Sequence, residues 1–182
     1  QIVNPAFRPV LDPIVWSDPR GVIDEIEKIE KDGNAPDDLL LLRIFIWISW
    51  NEADQAEAGL EQFSKTRIRE YPDPHNFFEL QGLLAAQRGR HDQASKFFEK
   101  AASYKIEDPH RKLRILGNYV WSLITTKRYP EALKILDTIL TTEPHHVTQR
   151  LNRAAALQSI GNDEDATKEI EELAAYAFLD RR

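Results

Sequence analysis

Apolar residues recur along most of the chain at the three- and four-residue spacing of a helix with one buried side, and they come in paired blocks. The leading blocks are about twelve residues long and cover 39–50, 77–87, 115–126 and 151–160. Each ends on a turn-like residue: Asn51, Gly89, Lys127 and Gly161. Five positions later stands an alanine: Ala56, Ala94, Ala132 or Ala166, spaced 38, 38 and 34 residues apart. Leu60, Phe98, Leu136 and Ile170 follow the alanines by four positions, and Phe63, Ala101, Ile139 and Leu173 by three more. That spacing is one face of a second helix. The alanine marks the point where two helices cross too closely for a larger side chain. The predicted unit is helix–turn–helix with a period near 34. Where the period is longer, the four extra residues fall around 71–74 and 109–112, and about one helical turn of insertion keeps the apolar faces in register.

Ahead of the first full unit, Val22, Ile23, Ile26 and Ile29 make one apolar face, and Val22 stands 34 residues before Ala56. The segment 17–36 therefore reads as a half-repeat, with Ser17 or Asp18 as helix cap and Pro19 in the first turn. Residues 1–16, "QIVNPAFRPVLDPIVW", carry Pro5, Pro9 and Pro13, which exclude a continuous helix and leave an extended apolar arm. The block "LLLLRIFIWISW" is apolar on every side and must be covered on every side. The arm is one expected cover, a second copy of the chain another. The end of the chain, "LAAYAFLDRR", is also apolar and has no polar capping helix after it. It reads as an interface or as the start of more chain. Gln1 in first place suggests a piece processed or excised from something longer.

A helical hairpin repeated at this period builds a solenoid, because one unit buries its face only against the next. Over roughly 37–179 the chain resembles the tetratricopeptide repeat family. The unit at 113–146 carries Tyr129, Ala132, Leu136 and Pro144 in family positions; that at 75–108 carries Gly82, Gly89, Ala94, Phe98 and Ala101. The unit at 147–180 matches through Ala154, Gly161 and Ala166, while that at 37–70 has Ile44 and Phe63 where the family prefers small residues. The resemblance implies an all-α, right-handed solenoid of about four repeats, preceded by the half-repeat and the arm.

It also implies a non-catalytic scaffold that binds a protein or peptide segment in a concave groove lined by the first helix of each hairpin. The ninth groove positions are Phe45, Leu83, Trp121 and Ala155; the fifth are Leu41, Glu79, Gly117 and Leu151; the second are Asp38, Asn76, Arg114 and Thr148. Among the positions that hold a C-terminal carboxylate in the family's co-chaperones, Glu79, Leu83, Asn118, Thr148 and Asn152, only Asn118 has the right chemistry. The groove is instead apolar, suited to an apolar or aromatic segment. Its candidate contacts are Phe45, Glu79, Leu83, Arg114, Asn118, Trp121, Thr125 and Asn152. Trp121 and Phe45 are the anchors, each worth roughly 1.5–3 kcal/mol if fully buried. The plain alternative is that they pad the core between repeats, and Phe45 leans that way in so apolar a helix.

Composition narrows the partner. A net charge of −6 disfavours nucleic acid, and no apolar run approaches the length of a membrane span. There is no cysteine, which removes disulfides and thiol chemistry and leaves the compartment open, cytoplasmic or extracytoplasmic. No phosphate loop, nucleophile elbow or HExxH appears, so no enzyme, cofactor or metal is expected. His145–His146 has no third ligand in view, and "NDEDATKEIEEL" at 162–173 lacks EF-hand spacing. Two further readings are an extracytoplasmic sensory domain of a membrane-bound signalling protein and a self-association module that pairs as a homodimer through its apolar ends.

Overall fold

The computed structural model describes residues 18–33 and 35–179, with side chains to 175. The arm 1–16 and residues 180–182 lie outside the described residues, as do the side chains of 176–179 at the apolar end. Nine α-helices and no strand occur among those described. They are α1 (Pro19–Lys31), α2 (Asp37–Ser49), α3 (Ala53–Thr66), α4 (Pro74–Gln87), α5 (His91–Ala102), α6 (Pro109–Thr125), α7 (Tyr129–Thr142), α8 (Val147–Ser159) and α9 (Asp163–Leu179). The chain divides into two compact units, Gln1–Lys105 and Ile106–Arg182. The first holds the hairpins α2–α3 and α4–α5 with α1 packed on α2; the second holds α6–α7 and α8–α9.

Every hairpin turns through one residue in the left-handed region: Asn51 at φ 64°, Gly89 at 72°, Lys127 at 60° and Gly161 at 82°. The next amide in each case donates five residues back, as in Glu52 to Trp47 (2.8 Å), Arg90 to Ala85 (2.8 Å), Arg128 to Leu123 (2.8 Å) and Asn162 to Leu157 (3.0 Å). This is the Schellman closure of a helix C-terminus. The same four residues then begin the second helix, their carbonyls accepting from Ala56, Ala94, Ala132 and Ala166 at 2.9–3.1 Å. So short a turn presses the two helices together at the alanine. Ala56, Ala94 and Ala132 are completely buried, and Ala166 is 8% exposed.

Side-chain sizes alternate across these crossings. An added Cβ on Gly59 of α3 would sit 2.9 Å from Ile44 of α2; one on Gly82 of α4 would sit 2.6 Å from the Phe98 ring of α5. Gly82 occupies the register position of Ile44. The first hairpin thus places bulk on its first helix and glycine on its second, and the next hairpin reverses them. In the second unit Val120, Leu136 and Ile139 form the centre, flanked by Leu113, Leu116, Ile124 and Ile135.

The two insertions take different forms. At 109–112 the extra residues are helical and lengthen α6, capped by the Asp108 carboxylate on the amide of His110 (3.0 Å). At 71–74 they form a loop, 71–73, leading into Pro74 at the start of α4; it buries Tyr71 edge-on to Phe63 (5.4 Å), while Phe63 stacks on Phe77 (5.6 Å). The bulk of Phe63 is filled into this aromatic cluster. In α1, Asp18 is the cap, accepting from Gly21 at 3.0 Å, with Pro19 behind it; Ile26 is buried and Val22, Ile23 and Ile29 half-buried. Arg43, 7% exposed on the apolar α2, bonds Glu30 of α1 at 2.6 Å and covers the Trp47 ring at 4.8 Å. A buried cation is tolerated where it is paired in this way.

Two outcomes follow for stability. Lys127→Gly should stabilise the protein by about 0.5–1 kcal/mol in urea unfolding, because an L-residue in the left-handed region is strained, while Gly89→Ala and Gly161→Ala should destabilise by a similar amount. Gly82→Ala should cost about 1–3 kcal/mol through the clash with Phe98, and adding Phe98→Leu should recover part of that loss.

Candidate binding face

On α6 the stripe Arg114, Asn118, Trp121, Thr125 follows helical spacing, so the four side chains share one side of the helix. Arg114 and Asn118 are half-buried, Thr125 is exposed, and Trp121 is 43% exposed. The Thr125 hydroxyl donates to the Trp121 carbonyl at 2.9 Å. Beside the stripe, Gly117 lets α8 come close. An added Cβ there would lie 2.9 Å from the Gln149 side-chain nitrogen. Gln149 is buried, and its amide oxygen accepts from Asn152 at 3.2 Å. Asn152 therefore helps set the approach of α8 to α6. Further round α8, Val147 and Leu151 are 50% and 46% exposed.

Helix α8 is also tied down by charge. Arg150 and Arg153 each meet Glu169 of α9 at 2.8 Å, and Arg153 also reaches Asp137 of α7 at 3.0 Å. Glu169 is 8% exposed, and the two guanidiniums supply the partners such a burial requires. Desolvation pulls the Arg153 pKa down, and the hydrogen bond and charge of Asp137, with Glu169, more than restore it. This network joins α8 to α7 and α9.

In the first unit the candidates are shielded: Phe45 is 8% exposed, Leu83 6% and Glu79 3%. The eight candidates thus separate into three shielded residues there and five gathered on the α6–α8 face: Arg114, Asn118, Trp121, Thr125 and Asn152. The sequence pattern missed Val147, which opens its helix and has no earlier turn to establish a periodicity. It also missed a cleft of about 420 Å³ between α3, α4 and α5, with Leu60, Leu84 and Phe97 on its walls and Glu61, Lys65 and Arg90 at its edges. Three helices each contribute one part of that lining, so no linear spacing announces it. Among the described residues no three metal-ligating side chains gather, and no helix is long and apolar enough to cross a membrane.

No protein-family model and no curated protein matches the sequence. Solved structures do match. MamA AMB-1 (C2221) aligns over 88% of this chain and 96% of its own, with a TM-score of 0.66 and 16% identity. A Podosopora anserina protein assigned as a kinesin light chain, with nearly identical TPR-like repeats, aligns over 91% of this chain and 98% of its own, with a TM-score of 0.67 and 14% identity. The fold is tetratricopeptide-like. At such identities the likeness concerns architecture, and it agrees with the hairpin register found along the chain.

Within this tetratricopeptide-like framework the inserted loop joins Asp38 of the first repeat to Asn76 of the second. The Tyr71 hydroxyl donates to the Asp38 carboxylate at 2.6 Å and accepts from the Asn76 amide at 3.0 Å. Burial, followed by the bond to Asp38, pushes the Tyr71 hydroxyl well above its ordinary pKa near 10. The folded state therefore holds this proton after the unfolded chain has released it. The stability contributed is complete below about pH 10 and is lost as the pH rises toward the folded value. Thermal unfolding followed from pH 8 to 11 should show a steeper loss in the wild type than in Tyr71→Phe, whose curve starts lower and falls less.

Proposed function

We propose that this protein is a non-catalytic interaction scaffold whose α6–α8 face takes an apolar or aromatic segment of a protein partner. The observation that carries the reading is Trp121, a large side chain 43% exposed on the open side of a first helix. A folded protein gains nothing by leaving an indole in water, and exposed aromatic side chains are favoured where partners bind. Asn152, bonded to the Gln149 side chain that meets Gly117, adds a polar group from α8. Arg114, Asn118 and Thr125 supply polar groups on the Trp121 stripe, suited to the backbone of a bound segment. Proteins of this architecture present their first helices to partners, which supports the same assignment.

The face is tested with peptides selected by display against the immobilised full chain. Trp121→Ala should weaken the selected peptides about tenfold or more, the loss expected when an anchor of roughly 1.5–3 kcal/mol is removed. Its circular dichroism and melting temperature should stay close to wild type, since the side chain is already half in water. Peptides that bind the variant with undiminished affinity would place the site elsewhere.

A further inference from the structure

Five large apolar side chains are exposed among the described residues, and four of them stand on the last hairpin: Val147, Leu151, Ile160 and Ile170. Three of the four have a register counterpart 34 residues earlier, in Leu113, Gly117 and Leu136. Those counterparts are covered. Leu136 is completely buried, Leu113 packs against its cluster, and Gly117 meets the Gln149 side chain of α8. The cover exists because α8 lies against both helices of the hairpin before it. In the first unit α4 does the same, its Phe77 stacking on Phe63 of α3. Among the described residues no helix takes that place beyond α9. Ile170 is therefore 44% exposed where Leu136 is fully covered.

We propose that the open α8–α9 face receives one helix of a partner protein, amphipathic and with a basic polar side, laid where a further first helix would pack. The repeat sets the shape of the occupant, since this surface is elsewhere filled by a helix with an apolar stripe. Helix α9 sets its charge. By helical spacing Asp163, Thr167, Ile170 and Ala174 share one side, and Glu164 and Glu171 lie one residue further round. Asp163, Glu164 and Glu171 are all exposed. The cations of the hairpin are not available to balance them. Arg150 and Arg153 of α8 are engaged with Glu169 and its neighbours, and Lys168, the single base of α9, falls on the other side of the helix. An apolar stripe edged by carboxylates selects lysine or arginine beside the apolar side chains of its partner. The inference concerns α8–α9 and does not rest on the role of Trp121.

Two helical peptides of about fifteen residues test it, each with leucine at the i, i+3, i+4, i+7 positions of one side. One carries lysine and glutamine on its polar side, the other glutamate and glutamine, and binding to the full chain is followed by fluorescence anisotropy. The lysine peptide should bind on the order of tenfold tighter than the glutamate peptide. Ile170→Ser and Leu151→Ser should each weaken it about tenfold, while Trp121→Ala leaves it unchanged. Both serine variants should melt close to wild type, because the replaced side chains are already nearly half in water. Failure of both peptides to bind at about 1 mM would overturn the proposal, as would equal binding of the two. So would a loss on Trp121→Ala as large as that on Ile170→Ser. Light scattering on the chain alone adds a further arm: a dimer that Ile170→Ser returns to monomers would make a second copy the occupant and overturn the proposal as well.

Discussion

Each hairpin depends on one residue held at positive φ between two helices. That residue closes the first helix by the backward bond from the next amide, and the same neighbour opens the second helix. With no further residues in the connection, the helices have no room to separate, and the crossing falls at a fixed distance along both. The alanine five positions on is the consequence. It stands where the backbones meet, and its Cβ fills the available space.

From that contact outward, the remaining packing is a matter of matching sizes. Ile44 against Gly59 and Phe98 against Gly82 solve the same crossing in opposite ways. Phe63 is accommodated because the inserted loop brings Tyr71 to its ring edge and α4 brings Phe77 to its face. This exchange of bulk between partners also explains how a repeat can drift far in sequence while its backbone persists. Individual positions change size freely as long as the position across from them changes in compensation.

The polar network acts on top of this packing and ties elements together. Arg150 and Arg153 clasp Glu169 and hold α8 to α9. Arg43 and Glu30 do the same for α1 against α2. Tyr71 spans Asp38 and Asn76 and connects α2 to the start of α4. None of these contacts defines the fold. They tie together elements of an already determined hairpin stack.

The helices, the C-terminal ends of the first helix in each hairpin, the four turn residues and the four alanines were all legible in the linear pattern, because each rests on contacts within one hairpin; the start of α6, six residues ahead of its apolar block, was not. The helical period, the left-handed turn and the close crossing are local in sequence and repeat often enough to be recognised. The candidate site was legible only as a stripe. Phe45, Leu83 and Trp121 share one register position, and no spacing separates a shielded Phe45 from an open Trp121. Exposure is settled by what packs against a side chain from distant parts of the chain. The pairing of Ile44 with Gly59, the loop form of one insertion against the helical form of the other, and the clasp on Glu169 were likewise decided in three dimensions. Periodicity records which side of a helix is apolar; only the tertiary structure determines what comes to cover it.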